Sequence, residues 1–134
     1  MTHPEHIRER ILVVEDEEAL GEIIVAMLAS ANYVCRQARD GDEALTILES
    51  VDEEFALVLS NLVMPGLDGI GLLECLRSKY PDVPVVIAST VTDSSIRLDV
   101  IRHGACDYLL KPFKREELLV TVRRALDSRR PASV

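Results

Sequence analysis

The stretch Ile11-Leu12-Val13-Val14-Glu15-Asp16-Glu17-Glu18 sets an unbroken aliphatic run directly against four carboxylates. Apolar residues without polar alternation predict a strand buried on both faces, as in a parallel sheet covered by helices. The period then changes. Leu20, Ile23, Ile24, Met27 and Leu28 fall at i, i+3, i+4, i+7 and i+8, one face of an amphipathic helix. Strand, acidic turn and helix make one unit, and the unit recurs along the chain.

Further apolar runs occupy residues 33–35, 55–59, 83–88 and 108–110. The run at 33–35 is the weakest and predicts a place toward a sheet edge. Between the runs, Ala44, Leu45 and Leu48 make a short helical face opened by Asp40-Gly41-Asp42. Ile70, Leu73 and Leu76 follow Asp68, a good N-cap, and stop before Pro81. Ile96, Val100 and Ile101 form a fourth face that ends at Gly104, in the position of a C-cap. Leu118, Leu119, Val122, Ala125 and Leu126 form the last, which Pro131 terminates at the latest.

Strand then helix, five times over, predicts an α/β fold with right-handed crossovers. The expected product is a single doubly wound, five-stranded parallel sheet, (βα)5, with its working site at the carboxyl ends of the strands. The length of 134 residues suits one domain over 1–134, with a core at about 8–128 and short tails at 1–8 and 129–134.

Charge divides unevenly. The chain carries 15 basic and 23 acidic side chains for a net −8, with 4 and 14 of them in residues 1–67. That balance argues against nucleic-acid binding, which needs a basic footprint. Arg123, Arg124, Arg129 and Arg130 lack aromatic interleaving and read as helix-end charges. With 48% hydrophobic and 28% charged residues the composition is that of a packed domain rather than a disordered chain. No apolar run nears the ~20 residues of a membrane span, and the N-terminus is no secretory signal. Cys35, Cys75 and Cys106 are odd in number and widely spaced, which predicts buried thiols in a reducing cytoplasm rather than a disulfide framework or zinc site.

The strand ends carry Glu15-Asp16-Glu17-Glu18, Ser60-Asn61-Leu62-Val63-Met64-Pro65-Gly66, Ser89-Thr90 and Lys111-Pro112-Phe113; Arg36-Gln37-Ala38-Arg39 after the second run offers little. A nucleotide-phosphate loop wants glycines and exposed N–H groups at the first of these, and four carboxylates would repel phosphate. Gly69-Ile70-Gly71 is no dinucleotide fingerprint, because Glu74 stands at its third glycine position. Clustered carboxylates with a backbone carbonyl suit a hard divalent cation such as Mg²⁺. Glu17 and Glu18 read instead as favourable charge at a helix start.

Ile11-Leu-Val-Val-Glu-Asp-Glu, Leu62-Val-Met-Pro-Gly-Leu-Asp-Gly, Gly104-Ala-Cys-Asp-Tyr and Leu110-Lys-Pro-Phe together resemble the receiver domain of two-component response regulators. The resemblance covers about residues 8–128. It implies a flavodoxin-like strand order 2-1-3-4-5. It makes Glu15 and Asp16 the acidic pair for Mg²⁺, with Val63 offering its backbone carbonyl. Ser89 becomes the hydroxyl that contacts the phosphoryl group, Tyr108 the aromatic switch, and Lys111 the lysine beside the acidic site, its bond to Pro112 cis.

The resemblance fails at the nucleophile. The family's acceptor aspartate lies three residues before Met-Pro, and that position holds Asn61. A carboxamide is neutral, with its nitrogen lone pair delocalised, and cannot attack phosphorus as a carboxylate does. Mg²⁺ binding should weaken and phosphorylation at 61 should be absent. Asp68, expected at a helix N-cap, is no convincing substitute. Three readings stay open. The favoured one is a pseudo-receiver that works by binding a protein partner, without enzymatic activity. The second is an ordinary Mg²⁺-dependent receiver into which Asn61 was introduced. The third, an unrelated enzyme on the same fold, lacks a nucleophile–base pair, since His3 and His6 fall in the N-terminal tail and His103 ends a helix.

Partners implied by the resemblance are a sensor histidine kinase, or an output domain or protein. Residues 97–124 mix signs (Arg97, Asp99, Arg102, Asp107, Glu116, Glu117, Arg123, Arg124), which suits self-complementary pairing in a homodimer as well as a plain solvated face. The chain reads equally as a stand-alone domain or as part of a longer protein.

Overall fold

The computed structural model describes residues 8–50 and 54–128. The expected end tails with His3 and His6, the arginines Arg129 and Arg130, and the Pro131 stop lie outside the described residues. Within them, strand and helix alternate as β1 (Arg10–Val14), α1 (Glu18–Ala29), β2 (Val34–Ala38), α2 (Gly41–Leu48), β3 (Leu57–Asn61), α3 (Gly69–Lys79), β4 (Val85–Ser89), α4 (Ser94–Arg102), β5 (Asp107–Leu110) and α5 (Arg115–Ser128). The strands form one parallel sheet in the order β2-β1-β3-β4-β5.

Strand alternation explains the continuous apolar runs. Leu12 and Val14 of β1 join Val58, Ile87, Leu72, Leu73, Leu76 and Val100 in a core under α2, α3 and α4. Ile11 and Val13 point the other way, to Ile24, Leu28, Leu118, Val122 and Leu126 of α1 and α5. Neither face of β1 meets water from Ile11 to Val14, so neither set of its positions is polar.

The helix starts are chemical. Asp40 accepts a hydrogen bond from the Glu43 backbone N–H at 2.8 Å, and Asp68 accepts from Gly71 N–H at 2.9 Å. Both are side-chain caps on the first turn. Gly104 sits at φ +108°, the left-handed C-cap conformation that favours glycine. A side chain there would meet the Arg77 aliphatic stem.

Four expectations need correction. The run at 33–35 marks only the beginning of β2, which continues through Arg36, Gln37 and Ala38; pairing to β1 alone leaves it at the edge, where polar residues are tolerated. The α4 face is thinner than its pattern: Val100 is buried, while Ile96 and Ile101 stay exposed. Cys106 is exposed, its Sγ 3.6 Å from Ser128 Oγ, whereas Cys35 is half-buried and its thiol is pushed up to about 11 by burial. Arg123 and Arg124 lie before the last turn of α5. Arg123 donates to the Tyr33 hydroxyl and pairs with Glu9 and Asp127; Arg124 pairs with Asp107 of β5. They tie α5 to the sheet rather than to its own dipole.

Candidate functional site

In the order 2-1-3-4-5 the chain winds outward in both directions from β1 and β3, so a crevice opens at their carboxyl ends. Glu15 and Asp16 follow β1, Asn61 ends β3, Ser89 ends β4, and Lys111 follows β5. The turn after β3 is closed by the Gly69 N–H donating to the Leu62 carbonyl at 2.8 Å. Gly69 is forced by contact: a Cβ there would lie 2.5 Å from the Asn61 carbonyl oxygen. It closes the Leu62-Val-Met-Pro-Gly-Leu-Asp-Gly motif, but the motif did not show the reason, because the constraint comes from backbone packed on backbone.

Lys111 Nζ donates to Glu15 Oε1 at 2.7 Å and to Asn61 Oδ1 at 3.0 Å. Glu15 is buried and Lys111 nearly so, with side chains 4% and 11% exposed. Such a pair holds only if the remaining lone pairs find donors. Glu15 meets that condition, since its Oε2 accepts from the Glu17 N–H at 3.1 Å and lies 3.5 Å from Asn61 Nδ2. The Lys111–Pro112 bond is cis, as expected.

Asn61 is saturated. Its Nδ2 donates to Asp16 Oδ1 at 2.9 Å and to the Val63 carbonyl at 3.0 Å, while its Oδ1 accepts from Lys111 and from Leu62 N–H at 3.1 Å. The sequence-predicted residues Glu15, Asp16, Asn61, Val63 and Lys111 are thus brought together. No three His, Cys, Asp or Glu side chains among the described residues gather as a metal site.

Ser89 and Tyr108 meet elsewhere, on a residue the sequence did not single out. Ser89 Oγ accepts from the Val91 N–H at 3.0 Å, and the Tyr108 hydroxyl donates to the Val91 carbonyl at 2.7 Å. Tyr108, in β5, is buried. The Arg97 guanidinium lies over its ring at 5.8 Å. Val91 enters both bonds through its backbone, so its identity could not announce the role. Beside this cluster lies a cleft of about 540 Å³, with Asp16, Asn61, Ser89 and Lys111 at its polar end and Ile23, Met27 and Phe113 among its apolar walls.

A doubly wound α/β domain with a lysine–carboxylate cluster at the carboxyl edge of β1, β3 and β5 defines a class, and comparisons with known proteins place the chain within it. The model of the response regulator receiver domain matches residues 11–123. The chain is 39% identical to the probable transcriptional regulator ycf27 of Porphyridium aerugineum over 89% of its length. It is 38% identical to the response regulator RppA of Synechocystis over 91% of its length. It spans about half of these relatives, 48% and 52% of their lengths. Among solved structures, the receiver domain of NtrX from Brucella abortus superposes with a TM-score of 0.82 at 33% identity, covering 88% of this chain and 98% of that one. Vibrio cholerae chemotaxis protein CheY4 gives 0.82 at 28% identity, covering 89% and 99%. The chain belongs to the response regulator receiver domain family of two-component systems.

Proposed function

We propose that this chain is a receiver domain that takes no phosphoryl group and works as a phosphorylation-independent protein-binding and dimerisation module. The observation that carries this reading is the carboxamide of Asn61 at the tip of β3, held between Lys111 and Asp16 where a receiver needs a nucleophilic carboxylate. An amide cannot form the acyl phosphate. Glu15, Asp16 and the Val63 carbonyl then remain as at most a weakened cation site, Ser89 and Tyr108 as the switch pair, and Lys111 as the counter-charge of the acidic pair. No metal is required, and no step of the binding function passes through one.

The inward Tyr108 supports the same reading. Ser89 and Tyr108 grip Val91 from opposite sides, so the loop after β4 is fixed without a phosphoryl group to recruit the Ser89 hydroxyl. The surface of α4, β5 and α5 is then presented continuously to a sensor kinase, an output domain or a second copy in the cytoplasm. Leu110 and Val120 are half-exposed on it, flanked by Arg97, Asp107, Glu116, Glu117 and Arg124.

The test is the intact mass of the chain after incubation with acetyl phosphate and Mg²⁺, beside its Asn61→Asp variant. No adduct on this chain and one phosphoryl group on the variant are expected. An adduct on this chain would sink the proposal. A second reading, a phosphoaccepting receiver in which Asn61 stands for an introduced substitution, is favoured by the intact remainder of the site, including the 2.7 Å Lys111–Glu15 pair. It predicts the same variant result but requires a natural sequence with aspartate at 61.

A further inference from the structure

The donor set at the end of β1 and β3 does not fit the divalent cation that the family implies, and the reason lies in which end of the Asn61 amide faces it. Asp16 Oδ1, the Val63 carbonyl and Glu15 Oε2 lie 2.9, 3.0 and 3.5 Å from Asn61 Nδ2. All three are acceptors. Around Asn61 Oδ1 stand only donors, Lys111 Nζ at 3.0 Å and the Leu62 N–H at 3.1 Å. An amide is oriented by its network. Turned over, it would set an oxygen against three oxygens and an NH₂ against an ammonium and an N–H. The orientation with nitrogen toward the carboxylates is therefore fixed.

We propose that the Asn61 side-chain NH₂ takes the place of the cation, its two hydrogens satisfying the oxygens of Asp16 and Val63 that a metal would claim, so that the amide excludes Mg²⁺ rather than merely failing to bind it. This deepens the reading of Asn61 as the residue at the acceptor position, and rests on it. To enter, a cation would have to expel the NH₂ group and strip the Lys111 and Leu62 donors of their acceptor. Loss of one carboxylate alone makes a different prediction. Mg²⁺ binds with one or two carboxylates and several waters, so Glu15 and Asp16 with the Val63 carbonyl would suffice if nothing stood in the way.

Asn61→Ala separates the two accounts, because alanine removes the amide but adds no ligand. Thermal melting and calorimetric titration with MgCl₂, on this chain and the variant, are the measurement. Millimolar Mg²⁺ is expected to raise the melting temperature of Asn61→Ala, with an affinity at least about tenfold above this chain's. Equal responses in the two, whether strong or nil, overturn the exclusion. A second readout needs no variant. The Asn61 side-chain NH₂ resonances should be protected from exchange and unmoved by millimolar Mg²⁺; a saturable shift overturns the proposal. A phosphoryl adduct on this chain would defeat the underlying reading of position 61 and leave the metal comparison standing, so the two failures are distinguishable.

Discussion

At position 61 the exchange of one oxygen for an NH₂ group changes the charge of the crevice while barely changing its shape. The 2.9 Å contact from Asn61 Nδ2 to Asp16 Oδ1 is a donor meeting an acceptor. With aspartate it would become two anionic oxygens with no proton between them. Like charges about 4 Å apart repel by about 1 kcal/mol in water and about 4 kcal/mol at an effective dielectric of 20. Asn61→Asp is therefore expected to melt lower than this chain in chelator and to recover on adding Mg²⁺. If the aspartate variant melts higher without metal, the repulsion account is wrong. The residue itself was legible through the family resemblance, which sets the acceptor three positions before Met64-Pro65. Four of its five polar neighbours, Glu15, Asp16, Val63 and Lys111, came with the family resemblance, while the Leu62 N–H did not, because a backbone donor has no side-chain signature.

Elements carry the constraints that single residues hide. The loop between β4 and α4 is pinned at Val91 by Ser89 from its own strand and by Tyr108 from the next, 17 residues on. Ser89→Ala removes the acceptor of the Val91 N–H, and Tyr108→Phe the donor to its carbonyl; each is expected to cost about 1 kcal/mol. Because both act on one peptide segment, the double variant should depart from additivity by about 0.5 kcal/mol or more. Additive losses, together with unchanged exchange of the Val91 amide, would show that the two grips are independent. Sequence exposed Ser89 and Tyr108 through their chemistry, but the backbone they share carries no side-chain signature. The end of α4 is tied down in a different way. His103 accepts no partner by accident: its Nδ1 lies 2.7 Å from the Asp99 carbonyl and its Nε2 3.4 Å from Glu74 of α3. The hydrogen bond to the Asp99 carbonyl raises the imidazole above its ordinary 6.5; desolvation opposes it, and the smaller pulls of the Asp99 and Glu74 carboxylates add to the rise. A raised folded-state value means that the stabilisation is complete below pH 6.5 and is lost as pH rises through the folded value. His103→Gln should flatten this segment of the stability–pH curve. The same slope in both proteins would remove His103 from the account.

Across the whole molecule, the uneven charge of the two chain halves becomes a division of labour around the sheet. The acidic half supplies β1 and its carboxylates, and the other half returns Lys111 to neutralise one of them at 2.7 Å. The topology was legible because a sheet covered on both sides leaves a continuous aliphatic run for each central strand. It was least legible at β2 and α4, where one side faces water and the pattern weakens to Arg36-Gln37 in one case and to a single buried Val100 in the other. The exposed side of α4, β5 and α5 leaves the last question, whether the module pairs with itself. Leu110 and Val120 are 45% and 55% exposed there, among Arg97, Arg124, Asp107, Glu116 and Glu117. Opposite charges around an apolar centre can satisfy one another across a two-fold axis, since each patch meets its own copy reversed. Sedimentation of the unphosphorylated chain is then expected to show a monomer–dimer equilibrium that weakens with salt, as exposed ion pairs are screened. Val120→Glu sets a charge in the apolar centre and should hold the chain monomeric. Because Val120 is exposed, its folding stability should stay within about 0.5 kcal/mol of the parent. A parent that sediments as a monomer at every concentration would reserve this surface for a different protein.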